Sequence, residues 1–268
     1  MIWLALVVIG VFVGAFGTLI GAAGGFILVP VLLFMYPEYS PASITSITLT
    51  VAFFNALSGS LAYSRLKRID YRSGLLFALT GIPGAIIGAN ITGLLSREVF
   101  QIIFGIVLLL VSLYLLFKPN KPAPVSINTD HCSREITDNC GNTFKYTYSR
   151  KLGLIIAFFV GLVSGMLGIG GGIIHVPAMT HLLSWPVHIA TATSHFVISL
   201  TTVSALATHI INDVFSEGVL SAFVLSAGAI VGAQFGARYS GKIAGALIVR
   251  LLAAGLLLVS ARLLLTSF

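Results

Sequence analysis

Hydrophobic and polar positions divide this chain into ten apolar segments, five on each side of a single polar stretch. The first five cover roughly 2–22, 24–36, 42–63, 73–93 and 99–117; the second five cover roughly 152–168, 171–184, 188–210, 219–237 and 244–266. Most approach the length needed to cross an apolar core about 30 Å thick, at about 1.5 Å of helical rise per residue. Segments 24–36 and 171–184 are too short for that unless tilted, and each follows a glycine-dense stretch. The first stretch reads Gly17-Thr-Leu-Ile-Gly21-Ala-Ala-Gly24-Gly25-Phe26-Ile-Leu-Val-Pro30, and the second Ser164-Gly-Met-Leu-Gly168-Ile-Gly170-Gly171-Gly172-Ile173-Ile-His175-Val-Pro177. They share the frame G-x-x-G-G-x-x-x-V-P at an offset of 147.

Glycine orders at high entropic cost and opens the helix backbone, so this density predicts a helix that stops and restarts. Within hydrocarbon such a break persists only where protein or a cavity covers the freed backbone groups. Paired Gly/Pro-interrupted segments in corresponding places of two halves point to a transporter's substrate site. The halves echo each other elsewhere too, in Pro41-x-x-Ile44 with Pro186-x-x-Ile189 and in Gly84-Ala-Ile-Ile-Gly88-Ala-Asn90 with Gly228-Ala-Ile-Val-Gly232-Ala-Gln234. The expected fold is therefore an all-α integral membrane protein of two homologous halves, with broken helices at the Gly-rich motifs. Residues 1–117 form the first repeat, 118–151 a cytoplasmic linker and 152–268 the second repeat.

Composition agrees. Of 268 residues, 57% are hydrophobic and 9% charged, with mean hydropathy +1.03; soluble domains carry about 25% charged residues. The formal charge of +7 then reads as orienting loop charge, not as a nucleic-acid footprint. Met1-Ile2-Trp3 lacks the basic start of a cleavable leader, so none is expected. Ten crossings in inverted 5+5 order put thirteen basic residues on one side and leave only Arg97 and Arg262 on the other, with Phe268 outside. Eight crossings, with each motif and its short helix making one, split the same charges eleven to four. The positive-inside rule favours ten, and both counts place 64–72 and 118–151 in the cytoplasm.

The third segment of each half is unusually polar. Thr45, Thr48, Asn55 and Gly59 lie within about 80° of one helix face, and Thr191, His195, Thr202 and His209 within about 40°. Hydroxyls in membrane helices often tie neighbouring helices together. Asn55, His195 and His209 invite a functional reading instead, because buried polar groups at membrane depth usually face a pathway. No Asp or Glu falls within a predicted span, which disfavours a pump built on buried carboxylates, and histidine is left as the titrating group. The candidates for proton coupling are His195, His175 and His209. Asn90 and Gln234 are matched polar residues near one surface, and the glycines of segments four and nine read as packing devices. Backbone N–H groups at a helix start attract negative charge, so those following Gly24-Gly25 and Gly171-Gly172, at Phe26 and Ile173, complete a site suited to an anion. A methyl group on these glycines is expected to fail, either where φ is positive or where it would hold the anion away. Neither a metal nor a cofactor is expected.

At these motifs the chain resembles the sulfite exporter TauE/SafE family of anion permeases. The residues carrying the resemblance are Gly21-Ala-Ala-Gly24-Gly25-Phe-Ile-Leu-Val-Pro30, Gly168-Ile-Gly-Gly171-Gly172-Ile-Ile-His-Val-Pro177, Thr191-Ala-Thr-Ser194 and Gly84-Ala-x-x-Gly88-Ala. The resemblance implies a secondary transporter, usually outward-directed, for sulfite, sulfonates or related organosulfur anions, and it adds Ser194 to the candidate substrate-binding set. Ala22-Ala23 departs from Ile169-Gly170 of the second copy. The expected partners are such an anion, protons and the lipid bilayer, with a homodimer left open and no nucleic acid. Two other readings stand beside it: a channel-like anion pore, and a membrane redox protein using His131, Cys132 and Cys140 of the linker.

Overall fold

The computed structural model describes residues 2–117, 131–215, 218–240 and 253–262. Lys118, Lys121, Lys242, Arg250, Phe268 and most of segment 244–266 lie outside them. The order is α1 (Ile2–Ile20), α2 (Gly25–Met35), α3 (Pro41–Arg65), α4 (Tyr71–Thr92), α5 (Arg97–Phe117), β1 (His131–Thr137), β2 (Thr143–Ser149), α6 (Arg150–Leu167), α7 (Gly172–His181), α8 (Val187–Ile211), α9 (Val219–Ser240) and α10 (Ala253–Arg262). Seven of these helices are long and apolar enough to cross a membrane, while α2 and the described part of α10 are short apolar helices. The protein is a predominantly helical, multi-pass integral membrane protein.

Helix starts follow local chemistry. Ser40 caps α3 by accepting from the Ser43 N–H, with Pro41 at the first helical position. Asp70 caps α4 through the Ser73 N–H, and Ser149 caps α6 through that of Leu152.

Small residues set the packing. Gly84 and Gly88 of α4 lie against the Phe158 and Leu162 carbonyls of α6, and Gly161 and Gly165 of α6 lie against those of Gly81 and Ala85. Gly228 and Gly232 of α9 meet the carbonyls of Val7 and Val11 of α1, and Gly10 and Gly14 of α1 meet those of Leu225 and Ala229. A β-carbon at any of these positions would overlap backbone, so glycine is what lets the helices approach this closely. Along both pairs the residue numbers rise together, so α1 runs parallel to α9 and α4 parallel to α6. Contacts from Phe54 to Phe223 and from Ser58 to Ile230 likewise align α3 with α9. Gly74 against Phe196 and Gly81 against Thr201 align α4 with α8. Between α3 and α8 the order reverses: Leu49 shares a packed cluster with Ala205, Ala52 with Ile198, and Tyr63 with Ala192. Hence α1, α3 and α9 point one way, and α4, α6 and α8 the other.

The polar stretch read as a linker holds structure of its own. Strands β1 and β2 pair antiparallel, His131 opposite Ser149 and Thr137 opposite Thr143. The hairpin docks at the end of the bundle where α3 gives way to α4. Arg134 donates to both Asp70 oxygens (3.0 and 2.6 Å), Tyr146 donates to Asp70 (2.8 Å), and Tyr148 donates to Ser73 (2.8 Å). Arg68 grips Asp138 from the other side of the turn (3.2 and 2.9 Å). Tyr146 and Tyr148 also pack on Trp185 in the α7–α8 connection. The Arg134 guanidinium and the Ser73 and Tyr146 donors outweigh burial and hold the Asp70 carboxyl below its ordinary range. Burial raises Asp138 as well, but Arg68 and the Asn142 amides bring it down to about 2.

At the opposite end Arg97 donates to the carbonyls of Leu33 and Tyr39, closing the C-terminus of α2 (2.5 and 2.8 Å). Arg262 stacks over Phe34, 5.0 Å from its ring centre. Among the described residues, then, Arg97 and Arg262 share one end, and Arg65, Arg68, Arg134, Arg150 and Arg238 lie at the hairpin end.

Candidate functional site

The two helix breaks are built alike. In the first, Gly21, Ala23 and Gly24 have φ of 88°, 51° and 77°; in the second, Gly168, Gly170 and Gly171 have 71°, 73° and 78°. Each break ends in a left-handed N-cap glycine, Gly24 before α2 and Gly171 before α7, with no side chain capping the helix. The Gly24 carbonyl accepts from Ile27 and Leu28, and that of Gly171 from Ile174 and His175. The N–H groups of Gly25, Phe26, Gly172 and Ile173 are first-turn donors, with no carbonyl behind them in their own helix. Ala23 occupies the place of Gly170 in a conformation that costs a side-chain-bearing residue roughly 1–2 kcal/mol. It clusters there with Ala52, Ala56 and Ile198.

The breaks interlock. A β-carbon on Gly172 would overlap the Gly21 carbonyl oxygen and stand 2.5 Å from Ala22 Cα. One on Gly25 would stand 2.7 Å from the Gly168 oxygen and 2.8 Å from Ile169 Cα. Positive φ therefore belongs to Gly24 and Gly171 but not to Gly25 and Gly172, whose need for glycine is the approach of the other break. A single backbone cause for all four glycines does not hold.

Around the first break α1, α3 and α8 bring polar side chains together. Thr18 donates its hydroxyl to Asn55 Oδ1 (2.8 Å), and Tyr63 donates to the Thr18 carbonyl (2.9 Å). Ser194 donates to the Gly21 carbonyl (3.3 Å), and the His195 Nδ1 lies 3.2 Å from the Thr191 carbonyl oxygen. Gly59 makes room for the imidazole: a β-carbon there would stand 2.5 Å from His195 Cδ2, 3.1 Å from Nε2 and 3.1 Å from Thr18 Cγ2. Tyr63 closes over the ring edge-on at 5.6 Å. Thr18, Asn55, Ser194 and His195 are completely buried. Three polar atoms in this group, Asn55 Nδ2, Thr191 Oγ1 and His195 Nε2, have no protein hydrogen-bond partner. Unpaired buried polar atoms cost stability, about 1–3 kcal/mol each, and three of them lie around this one break.

The second break is chemically different. His175 sits by Ser164, Gly170, Gly171 and Thr201 in a small cleft, with the Phe77 ring 5.8 Å away. Its Nε2 also lacks a partner, but the surroundings are largely aromatic and aliphatic. Thr48 faces this break instead of the first, beside Gly168, and its hydroxyl is spent on the Thr45 carbonyl (3.0 Å). Thr202 is likewise spent, on Ile198 (2.6 Å). His209 is buried in the last turn of α8, fourteen residues or about 21 Å of helical rise beyond His195. The structure thus separates the three histidines, and only His195 joins Asn55, Thr191 and Ser194. Phe26 and Ile173 are core residues, each placed by its break. Asn90 accepts from Asn212, and Gln234 donates to Ser58, so both serve helix packing.

Thr18 and Tyr63 escape sequence reasoning. Thr18 lies inside the quoted motif, where only glycine spacing draws notice, and Tyr63 ends the segment 42–63 with no motif to mark it. The hairpin escapes it as well, although the alternation Phe144, Tyr146, Tyr148 is a legible strand signal.

Comparison with known proteins places this architecture. The family model described as "Sulfite exporter TauE/SafE" matches residues 6–263. The chain is 35% identical to "Probable membrane transporter protein YunE" of Bacillus subtilis, over 98% of this chain and 97% of that one. It is 22% identical to a probable membrane transporter protein of Methanocaldococcus jannaschii, over 89% and 86% respectively. No solved structure matches it significantly. A transport family spanning nearly the whole chain accords with paired helix breaks enclosing unpaired polar atoms, and the chain belongs to the sulfite exporter TauE/SafE family.

Proposed function

We propose that the protein is a secondary transporter that exports a small sulfur-containing anion, such as sulfite or an organosulfonate, and binds it where the first break meets α3 and α8. One observation carries this reading: Asn55 Nδ2, Thr191 Oγ1 and His195 Nε2 are buried and unpartnered beside the first break, with no carboxylate among them. Helix-start N–H groups, an amide and a hydroxyl favour negative charge, and membership of the sulfite exporter family suggests the substrate class. Inverted repeats would account for α1 and α6 pointing in opposite directions. The positive-inside rule puts the hairpin end in the cytoplasm. Complete burial of the site supports a carrier with an occluded state over a continuously open pore. Cys132 faces Tyr148 in the strand pairing and Cys140 lies in the turn. About five strand residues at roughly 3.3 Å each separate them, too far for a disulfide or a shared metal, which weighs against a redox role. Counterflow in proteoliposomes tests the proposal with sulfite, methanesulfonate and sulfate. Exchange of labelled for unlabelled anion, abolished by Asn55→Ala, is expected. Flux without counterflow would favour a pore.

A further inference from the structure

The hydrogen bonds around His195 fix more than its position. A carbonyl oxygen can only accept, so the contact of Nδ1 with the Thr191 carbonyl (3.2 Å) puts the imidazole proton on Nδ1. In the neutral ring Nε2 is then a bare lone pair, and it has no partner. Asn55 is fixed in the opposite sense. Its Oδ1 accepts from Thr18 (2.8 Å), which leaves the NH₂ group pointing away from that bond with its donors unused. Asn55 and Gly59 are one helical turn apart on α3, and His195 Nε2 lies beside Gly59, so both groups flank Thr18. The site therefore offers one buried acceptor, one buried donor group and the Thr191 hydroxyl, which does not titrate and can serve either way.

A fully deprotonated oxyanion has only acceptors to present and would set an oxygen against the lone pair of Nε2. We propose that the site takes a singly charged oxyanion that keeps one acidic O–H, with His195 Nε2 accepting that O–H and the Asn55 amide donating to a bare oxygen. This rests on reading the cluster as the anion site, and it adds the protonation state of the bound species. The class is the monoprotonated anion of an acid whose second ionisation lies near neutrality, of which hydrogensulfite is the sulfur example. Tyr63 from α3 is the other titratable group facing His195, and its hydroxyl is committed to the Thr18 carbonyl. Thr18 from α1 and Ser194 within α8 do not titrate. The nearby charged residue Arg68, following Tyr63 past the end of α3, is engaged by Asp138. Nothing else described at the site can supply the missing proton, so the ligand must carry it.

Isothermal titration calorimetry on the purified chain, in buffers of different ionisation enthalpy, counts protons taken up per anion bound. With sulfite the wild type should take up close to one proton at pH 8, where the dianion dominates, and close to none at pH 6. Methanesulfonate has the same single charge and three bare oxygens but no O–H, and should bind at least tenfold more weakly than hydrogensulfite. In His195→Gln the new amide can donate, so proton uptake at pH 8 should vanish and the preference over methanesulfonate should collapse. Sulfite binding at pH 8 without proton uptake would overturn the proposal. So would tight methanesulfonate binding with uptake of one proton, which would mean an imidazolium, or retained uptake in His195→Gln. Wild-type affinity and proton count in both Asn55→Ala and His195→Gln would instead move the anion site elsewhere and remove the underlying reading. The wild-type proton count and the methanesulfonate comparison decide the matter even if the histidine variant does not fold.

Discussion

Replacing Gly172 by alanine separates close approach from backbone conformation as the reason for a glycine in the motif. The added methyl would overlap the Gly21 carbonyl oxygen and stand 2.5 Å from Ala22 Cα and 2.8 Å from the Gly21 carbonyl carbon. All three are backbone atoms, so no side chain can swing aside. Restoring ordinary contact requires the first break to move by about 1 Å. Overpacking a close-packed interior costs about 1–3 kcal/mol, and the rigidity of both partners places this case near about 3 kcal/mol. At about 2–4 °C per kcal/mol for a chain of this size, the melting temperature should fall by about 6–12 °C. Gly171→Ala provides the contrast. Its methyl would meet only side chains, Val160 at 3.1 Å and Ser164 at 3.2 Å, and its φ of 78° costs about 1–2 kcal/mol. Thermal unfolding in detergent, alongside counterflow in proteoliposomes, should therefore rank Gly172→Ala below Gly171→Ala and both below wild type. Alanine is also the better helix former by about 1 kcal/mol. If the breaks did not interlock, Gly172→Ala would melt at or above wild type, and that result would refute the contact.

The hairpin should detach when its ion pairs are cut. Arg134→Ala removes two charge-assisted hydrogen bonds to Asp70, and limited proteolysis between 131 and 149 should accelerate while the helical core survives. Acid should have the same effect. The folded-state pKa values of Asp70 and Asp138 lie below their unfolded values, so the stability they contribute is present above about pH 4 and lost as pH falls through the folded values, near 2 for Asp138. Hydrogen exchange of the hairpin amides should therefore quicken between pH 4 and 2, and unchanged protection there would refute the linkage. For sidedness, Cys140 is exposed and free, and in whole cells an impermeant maleimide should label it only after permeabilisation. Glu38→Cys, exposed at the other end, should label in intact cells. The opposite pattern would invert the orientation.

Much of this arrangement is legible in the sequence because it depends on residues whose physics is local. Gly24, Gly25, Gly171 and Gly172 announce the breaks by their density, and the small-residue spacing of α4 and α9 announces close packing. What remains hidden depends on distant partners. Nothing about Gly172 alone distinguishes a strained φ from the approach of Gly21, 151 residues earlier in the chain. Thr48 and Asn55 lie on one stripe of α3 by periodicity, yet the structure gives them to different breaks, because α3 runs past both. The hairpin is hidden for another reason. Its strands bury Tyr146 and Tyr148 against Trp185 and Asp70, so their role exists only once α4 and α8 have presented that surface. The alternation of Phe144, Tyr146 and Tyr148 discloses a strand but not the surface it packs on.

Near-symmetric backbone and asymmetric chemistry together distinguish the two breaks. The φ pattern repeats at an offset of 147, and each break receives a glycine of the other. Yet His195 stands where the first half has Thr50, by the offset of 145 that relates α3 to α8, and His175 stands where it has Leu28. Both histidines thus come from the second half, and each meets different company. His175 packs against Phe77. His195 is joined by Thr18, Asn55 and Tyr63, and their hydrogen bonds set the donor and acceptor directions of these four side chains. Two parallel pairs, α1 with α9 and α4 with α6, each join a helix from one half to a helix from the other, so neither half packs its own first and fourth helices together. Rocking one pair against the other would shear α3 past α8, and the contacts of Gly59 and Tyr63 with His195 are among those that cross that seam. An anion held there, as proposed, would sit where such parts slide, and its binding and the exchange of access would be coupled through the same few hydrogen bonds.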